Sequence, residues 1–191
     1  MYRQSRFLIL AILFSALSLA SAPTLSQDTG HTGLYAGFGL GKSKVRDLCE
    51  GLTNCDDKDT ALNIFAGYQA NRNFGVELGY AELGKFSGSV PGISVTGEVT
   101  GFELSAVGTL PIDEKFALYG KLGFFMWDVD VRGSAGGFGF SGSDDGTDPT
   151  IAIGARYSLT RNVAMQVQWQ RYFDIGDSDL DVVGVGLLFR F

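Results

Sequence analysis

"VVGVGLLFRF" occupies residues 182–191, and with it the sequence stops on Phe191. Val183, Val185, Leu187, Phe189 and Phe191 fall on one side of a two-residue repeat, with Gly184, Gly186, Leu188 and Arg190 on the other. Two is the strand period. Terminal backbone in soluble domains is seldom tied down, so an apolar alternation that runs to the last residue reads as a structural strand.

The same split recurs upstream. In "GLYAGFGLG" (33–41) Leu34, Ala36, Phe38 and Leu40 oppose Tyr35, Gly37, Gly39 and Gly41, and in "ALNIFAGYQ" (61–69) Leu62, Ile64, Ala66 and Tyr68 oppose Asn63, Phe65 and Gly67. Five further segments repeat it: 74–81, 101–110, 116–127, 151–159 and 163–170. With the terminal segment this makes eight strands. The links alternate in length. Residues 71–73, 111–115 and 160–162 are tight, whereas about 43–59, 84–94, 132–148 and 174–180 are long. Short turns at one end and long loops at the other describe an up-and-down antiparallel meander whose first and last strands can pair.

The composition of the two faces decides between a soluble and a membrane barrel. One face is almost uninterrupted Leu, Val, Ile, Phe, Tyr and Trp, which in water would aggregate. The other is rich in glycine, including Gly37, Gly39, Gly67, Gly79, Gly154 and Gly186, and carries few charges. Glycine weakens a strand unless something approaches closely, as in the crowded interior of a small barrel. The apolar face must therefore meet lipid. Hydrocarbon offers backbone groups no partners, so the sheet has to close on itself. Tyr68, Phe74, Phe116, Tyr157, Phe189 and Phe191 lie on that face near the short turns, where one aromatic girdle is expected.

At the other terminus Arg3 and Arg6 precede "FLILAILFSALSLA", and Ala20, Ser21 and Ala22 follow it. This is the pattern of a secretory signal peptide, assigned to residues 1–22; residues 23–191 form one barrel domain. Without Arg3 and Arg6 the chain is more acidic than its formal net charge of −6, which argues against nucleic acid as a partner. Export implies an oxidising compartment, so Cys49 and Cys55, the only cysteines, are expected to pair. A metal reading of two sulfurs would need further ligands, and His31 is the sole histidine.

Through "GLYAGFGLGKS", "FAGYQANRNFGVELGY" and "VGVGLLFRF", the chain from about Gly33 onward resembles the OmpA/OmpX-type small outer-membrane barrels of Gram-negative bacteria. The resemblance implies an integral outer-membrane location, with both termini periplasmic and contact with outer-membrane lipid and lipopolysaccharide. It also implies that Phe189 and Phe191 belong to a C-terminal signal read by the barrel-assembly machinery. The sequence stops at Phe191, so the peptidoglycan-binding domain of OmpA itself is not carried over.

Four charged residues fall on the inward face: Glu77, Glu103, Lys121 and Arg156. Each stands roughly five to eight residues from a short turn, and a spanning strand has about ten, so all four are expected near mid-height. Isolated buried charges are costly, so two acids and two bases should pair. The cluster reads as a plug, similar to the internal ionic network of OmpA-type barrels, or alternatively as a gate for ions. No catalytic residue and no cofactor is expected, since His31 lies at the periplasmic end and catalysis needs a nucleophile or acid with a positioned base. "GLGKS" (39–43) lacks both the earlier glycine and the helix of a phosphate loop. Asp56, Asp57, Asp59, Asp144, Asp145, Asp148, Asp174, Asp177, Asp179 and Asp181 make the long loops acidic; they read as solvated, although oxygen ligands also suit calcium or magnesium. The function expected is non-enzymatic: envelope integrity and surface interaction through loops that could take an extracellular ligand. The alternative is a narrow porin-like channel.

Overall fold

The alternation builds one closed antiparallel sheet. The computed structural model describes residues 32–46, 54–56, 58–90, 93–135, 138–176 and 178–191. In chain order the strands are β1 (Gly33–Val45), β2 (Asn54–Asp56), β3 (Lys58–Gln69), β4 (Phe74–Val90), β5 (Ile93–Pro111), β6 (Phe116–Ala135), β7 (Phe138–Ser158), β8 (Val163–Ile175) and β9 (Ser178–Arg190). β2 is a short strip paired to β4 at residues 87–89. The other eight form the barrel, in which each pairs with its neighbour along the chain and β9 pairs back onto β1. The terminal segment is thus the closing strand, bonded to β8 on one side and β1 on the other. The Phe191 N–H donates to the Leu34 carbonyl at 3.0 Å.

The register fixes the barrel's dimensions. Leu34 pairs with Tyr68, then the row runs through Val76, Ala106, Leu122, Ile151, Arg171 and Asp181 before regaining β1 at Lys44. The stagger from Leu34 to Lys44 over eight strands corresponds to a strand tilt of about 40° and a backbone radius of about 8 Å. Such an interior is one that side chains can fill.

Adjacent residues on β6 show the division of faces: Leu122 is 66% exposed and Phe124 60%, whereas Phe125 is fully buried. Inward aromatics sit in cups made by glycine. A Cβ at Gly154 would stand 2.6 Å from Tyr119 Cζ, and one at Gly101 2.7 Å from Phe125 Cζ.

Two features depart from the sequence reading. β4, β5, β6 and β7 continue through stretches read as loops, so that Asp130 pairs with Ser143 and Gly133 with Phe140. Out there neither face meets lipid, and the apolar alternation that marks a strand fades while backbone pairing continues. Second, register shifts interrupt β4 between Glu82 and Gly84 and the β8–β9 pair between Tyr172 and Ile175. The first is a bulge with Gly84 at φ +98°; it reverses the parity and turns Phe86 into the lumen, where it is buried. The signal peptide expected at residues 1–22, His31, Asp57, Asp177 and Cys49 of the expected disulfide lie outside the described residues.

Candidate functional site in the barrel lumen

The structure brings three of the four inward charges into one group. Glu77 on β4 accepts from Lys121 Nζ on β6 and from the Tyr35 hydroxyl on β1, the latter at 3.1 Å. Arg156 Nη2 on β7 stands 3.7 Å from the same carboxylate. β4 pairs with none of β1, β6 and β7, and the side chains meet across the lumen because the residues between them are small. Ser105 pairs with Glu77 and with Gly123, while Ala152 pairs with Lys121. All three charged side chains are buried, at 2–5% exposure.

Aromatic faces complete the cations' surroundings. Lys121 Nζ lies 5.2 Å from the Phe65 ring centroid, and the Arg156 guanidinium lies 4.2 Å from that of Tyr119 and 5.6 Å from that of Tyr35. Arg156 Nε also donates to Gln166 Oε1 at 3.2 Å.

Glu103 stands apart from the ion pairs. Its carboxylate accepts from Ser105 Oγ at 2.5 Å and from Gln170 Nε2 at 2.7 Å, and among the described residues it closes no ion pair. The same Gln170 amide donates to Thr150 Oγ1. A chain of neutral groups leads from Glu103 toward Arg156: beyond Gln170, Gln168 Nε2 donates to Gln170 Oε1 at 2.6 Å, the Tyr119 hydroxyl donates to Gln168 Oε1 at 2.9 Å, and the Arg156 cation lies over Tyr119. A cavity of about 40 Å³ lies against Gln166, Gln168, Gln170, Asn63 and Tyr172, with room for a few waters.

Sequence reasoning missed the neutral members. Gln166, Gln168 and Gln170 alternate in "VAMQVQWQ", and inward amides at that spacing were the available signal. It also missed what lies beyond the network. Leu83, Phe86, Phe125, Trp127, Tyr172, Ile175 and Leu180 pack into one buried apolar cluster in the half of the lumen near the long hairpins. Two of them, Phe86 and Ile175, reach the lumen only through the two register shifts.

The chain's residues 30–191 match the family model for the OmpA-like transmembrane domain. It belongs to that family. Outer membrane protein A of Yersinia pseudotuberculosis is 31% identical over 192 residues, covering 92% of this chain and 54% of that protein. The Serratia marcescens protein of the same name is 30% identical over 199 residues, again 92% and 54%. The chain therefore spans about half the length of these curated relatives. Among solved structures, Neisserial surface protein A superposes with a TM-score of 0.62 at 15% identity, over 85% of this chain and all of that one. Ail of Yersinia pestis, solved with the heparin analogue sucrose octasulfate, gives 0.59 at 18%, over 84% and 99%. These last two likenesses show the fold alone. As an OmpA-like barrel the protein is integral to the outer membrane, in contact with its lipid.

Proposed function

We propose that this protein is a non-enzymatic outer-membrane barrel that contributes to envelope integrity and presents its long hairpins for surface interaction, with a lumen that does not conduct. One observation carries this reading: the lumen is filled twice over, by the Glu77–Lys121–Arg156 network nearer the short turns and by the Phe125 cluster nearer the long hairpins. An ion would have to displace both. The outward alternation from Val183 to Phe191 supports recognition of this strand by the barrel-assembly machinery, and the acidic hairpins support an extracellular partner reached through them.

A narrow channel is the second reading. The cavity among Gln166, Gln168 and Gln170 favours it, as does Arg156 Nη2, which is buried without a hydrogen-bond partner among the described residues. Planar-bilayer recordings of the refolded protein decide between them. The sealed reading expects no reproducible steps from protein shown to be inserted, whereas steps altered by Lys121→Met establish a gated pore.

A further inference from the structure

The long hairpins leave one sheet edge bare above the barrel. β7 pairs with β6 from Tyr157 up to Phe138, but its pairing with β8 begins only at Thr150, opposite Tyr172. Among the described residues no strand lies against the other side of Phe138–Pro149, which makes roughly 35 Å of edge at about 3.3 Å per residue. The Ser158 N–H donates to the Lys115 carbonyl on the β6 side, and the β6–β7 register runs on from there without a shift. Backbone direction alternates along an antiparallel ladder, so Gly139, Ser141, Ser143, Asp145 and Thr147 aim their backbone groups out from the free edge. Among the described residues only the Asp145 N–H is occupied, by the Asp144 carboxylate at 3.1 Å.

The two faces beside this edge differ in chemistry. On the face continuous with the lumen, Val129 packs against the apolar cluster, Val131 stands across from Gly142, and the Phe140 ring lies over Gly133 with 48% of its residue exposed. On the outward face carboxylates stand directly across from one another, Asp128 from Asp145 and Glu98 from Asp130. Like charges so placed are destabilising. Glu98 has Lys85 at 3.4 Å, whereas among the described residues Asp128, Asp130 and Asp145 close no ion pair. Arg132, across from Ser141, ends the acidic stretch toward the hairpin tip. Charge on an edge strand keeps identical edges from pairing, and a second copy would set acidic edge against acidic edge. The same carboxylates favour a strand of opposite charge.

We propose that the outer edge of β7 takes up an extended peptide of alternating basic and apolar residues, which adds a strand to the sheet. The peptide backbone bonds to Ser141, Ser143 and Thr147. Its basic side chains meet Asp145 and Asp128 on one face, and its apolar side chains cover Phe140 and Val131 on the other. Successive side chains of a strand point to opposite faces, so a single peptide satisfies both chemistries only with a period of two. Backbone bonds supply the affinity in such strand addition, and the flanking side chains select the sequence. The inference rests on the long hairpins being a surface for interaction, and it names the chemistry of the partner.

Ser143→Pro tests the edge directly, because the Ser143 N–H points away from β6 and proline there removes an edge donor without breaking the β6–β7 ladder. Protein refolded in zwitterionic micelles is titrated with a fluorescent peptide of alternating lysine and valine, and binding is followed by anisotropy. The expected result is saturable binding that is lost with Ser143→Pro. Combining Asp128→Asn with Asp145→Asn should raise half-saturation about tenfold. A peptide of the same composition with its lysines and valines in two blocks should not bind, nor should the alternating peptide N-methylated along its edge-facing side. The methylated peptide tests backbone pairing without any protein variant, should Ser143→Pro fail to refold. No binding of the alternating peptide overturns the proposal, as does equal binding of its methylated form or equal binding by wild-type and Asp→Asn proteins. Self-association of the barrel that Ser143→Pro abolishes also overturns it, since the edge then belongs to a second copy. Panning a random peptide library on the same protein separates strand pairing from surface interaction in general. Clones that bind wild-type and Ser143→Pro barrels alike overturn strand pairing and leave surface interaction standing, whereas the absence of any binding clone overturns both.

Discussion

The two halves of the lumen solve one packing problem with different chemistry. Nearer the short turns, Glu77, Lys121, Arg156, Glu103 and three glutamines fill the interior through directed bonds. Nearer the long hairpins, Phe125, Trp127, Leu83, Leu180 and Tyr172 fill it through contact alone, with the Phe125 and Tyr172 rings 4.6 Å apart. A polar filling tolerates no loss of partner, because a buried ion left alone carries the full cost of desolvation. An apolar filling tolerates a change of shape so long as the volume is kept. The halves should therefore differ in which substitutions they forgive.

The largest effect is expected from Lys121→Met. The side chain keeps its length and loses its charge, leaving Glu77 with the Tyr35 hydroxyl and an arginine at 3.7 Å. Removal of one partner of a buried pair costs about 3–5 kcal/mol, to be read as a fall in the urea midpoint of refolded protein in micelles. Adding Glu77→Gln should recover most of that loss, since replacing both members of such a pair is often close to neutral. If the double variant is no more stable than the single one, the Glu77–Lys121 pair is not the unit on which this half depends.

This comparison also shows what the sequence could convey. Eight strands, their order, the lipid face and the inward direction of Glu77, Glu103, Lys121 and Arg156 follow from the two-residue period, because a strand one residue out of register would bury charge in lipid. The grouping of three charges apart from the fourth was not legible. It depends on the stagger from Leu34 to Lys44, which decides which residues share a level across the lumen. The apolar half was hidden for another reason. Phe86 and Ile175 break the alternation, and only the bulges beside Gly84 and before Ile175 restore them to the inside. The outer reaches of β6 and β7 were invisible because strands wet on both faces leave no apolar pattern.

A middle-sized effect tests the polar half without touching an ion pair. Ser105→Ala removes the hydroxyl that donates to Glu103 at 2.5 Å, while Gln170 keeps its bond to the other oxygen. A hydrogen bond to a charged group contributes about 1.5–3 kcal/mol, so loss of one buried oxygen atom should lower the unfolding midpoint visibly. Ser105→Thr, which restores the donor, should return part of it. A Ser105→Ala barrel as stable as the wild type would mean that Glu103 finds its partners elsewhere.

The smallest effect is expected in the other half and sharpens the contrast. Phe125 is fully buried against Tyr172 and sits over Gly101, so its ring is the centre of the apolar cluster. Phe125→Leu keeps an apolar side chain but gives up three carbons, and exchanges between apolar side chains cost under about 1.5 kcal/mol where the surroundings repack to hold the volume. Ser105→Ala, which deletes one atom, should thus destabilise the barrel more than Phe125→Leu, which replaces an entire ring. The order of the two urea midpoints, measured under one set of conditions, is the decisive quantity. If Phe125→Leu proves the more damaging, the half near the long hairpins is held by the aromatic stack of Phe125 on Tyr172 rather than by volume, and both halves depend on specific partners.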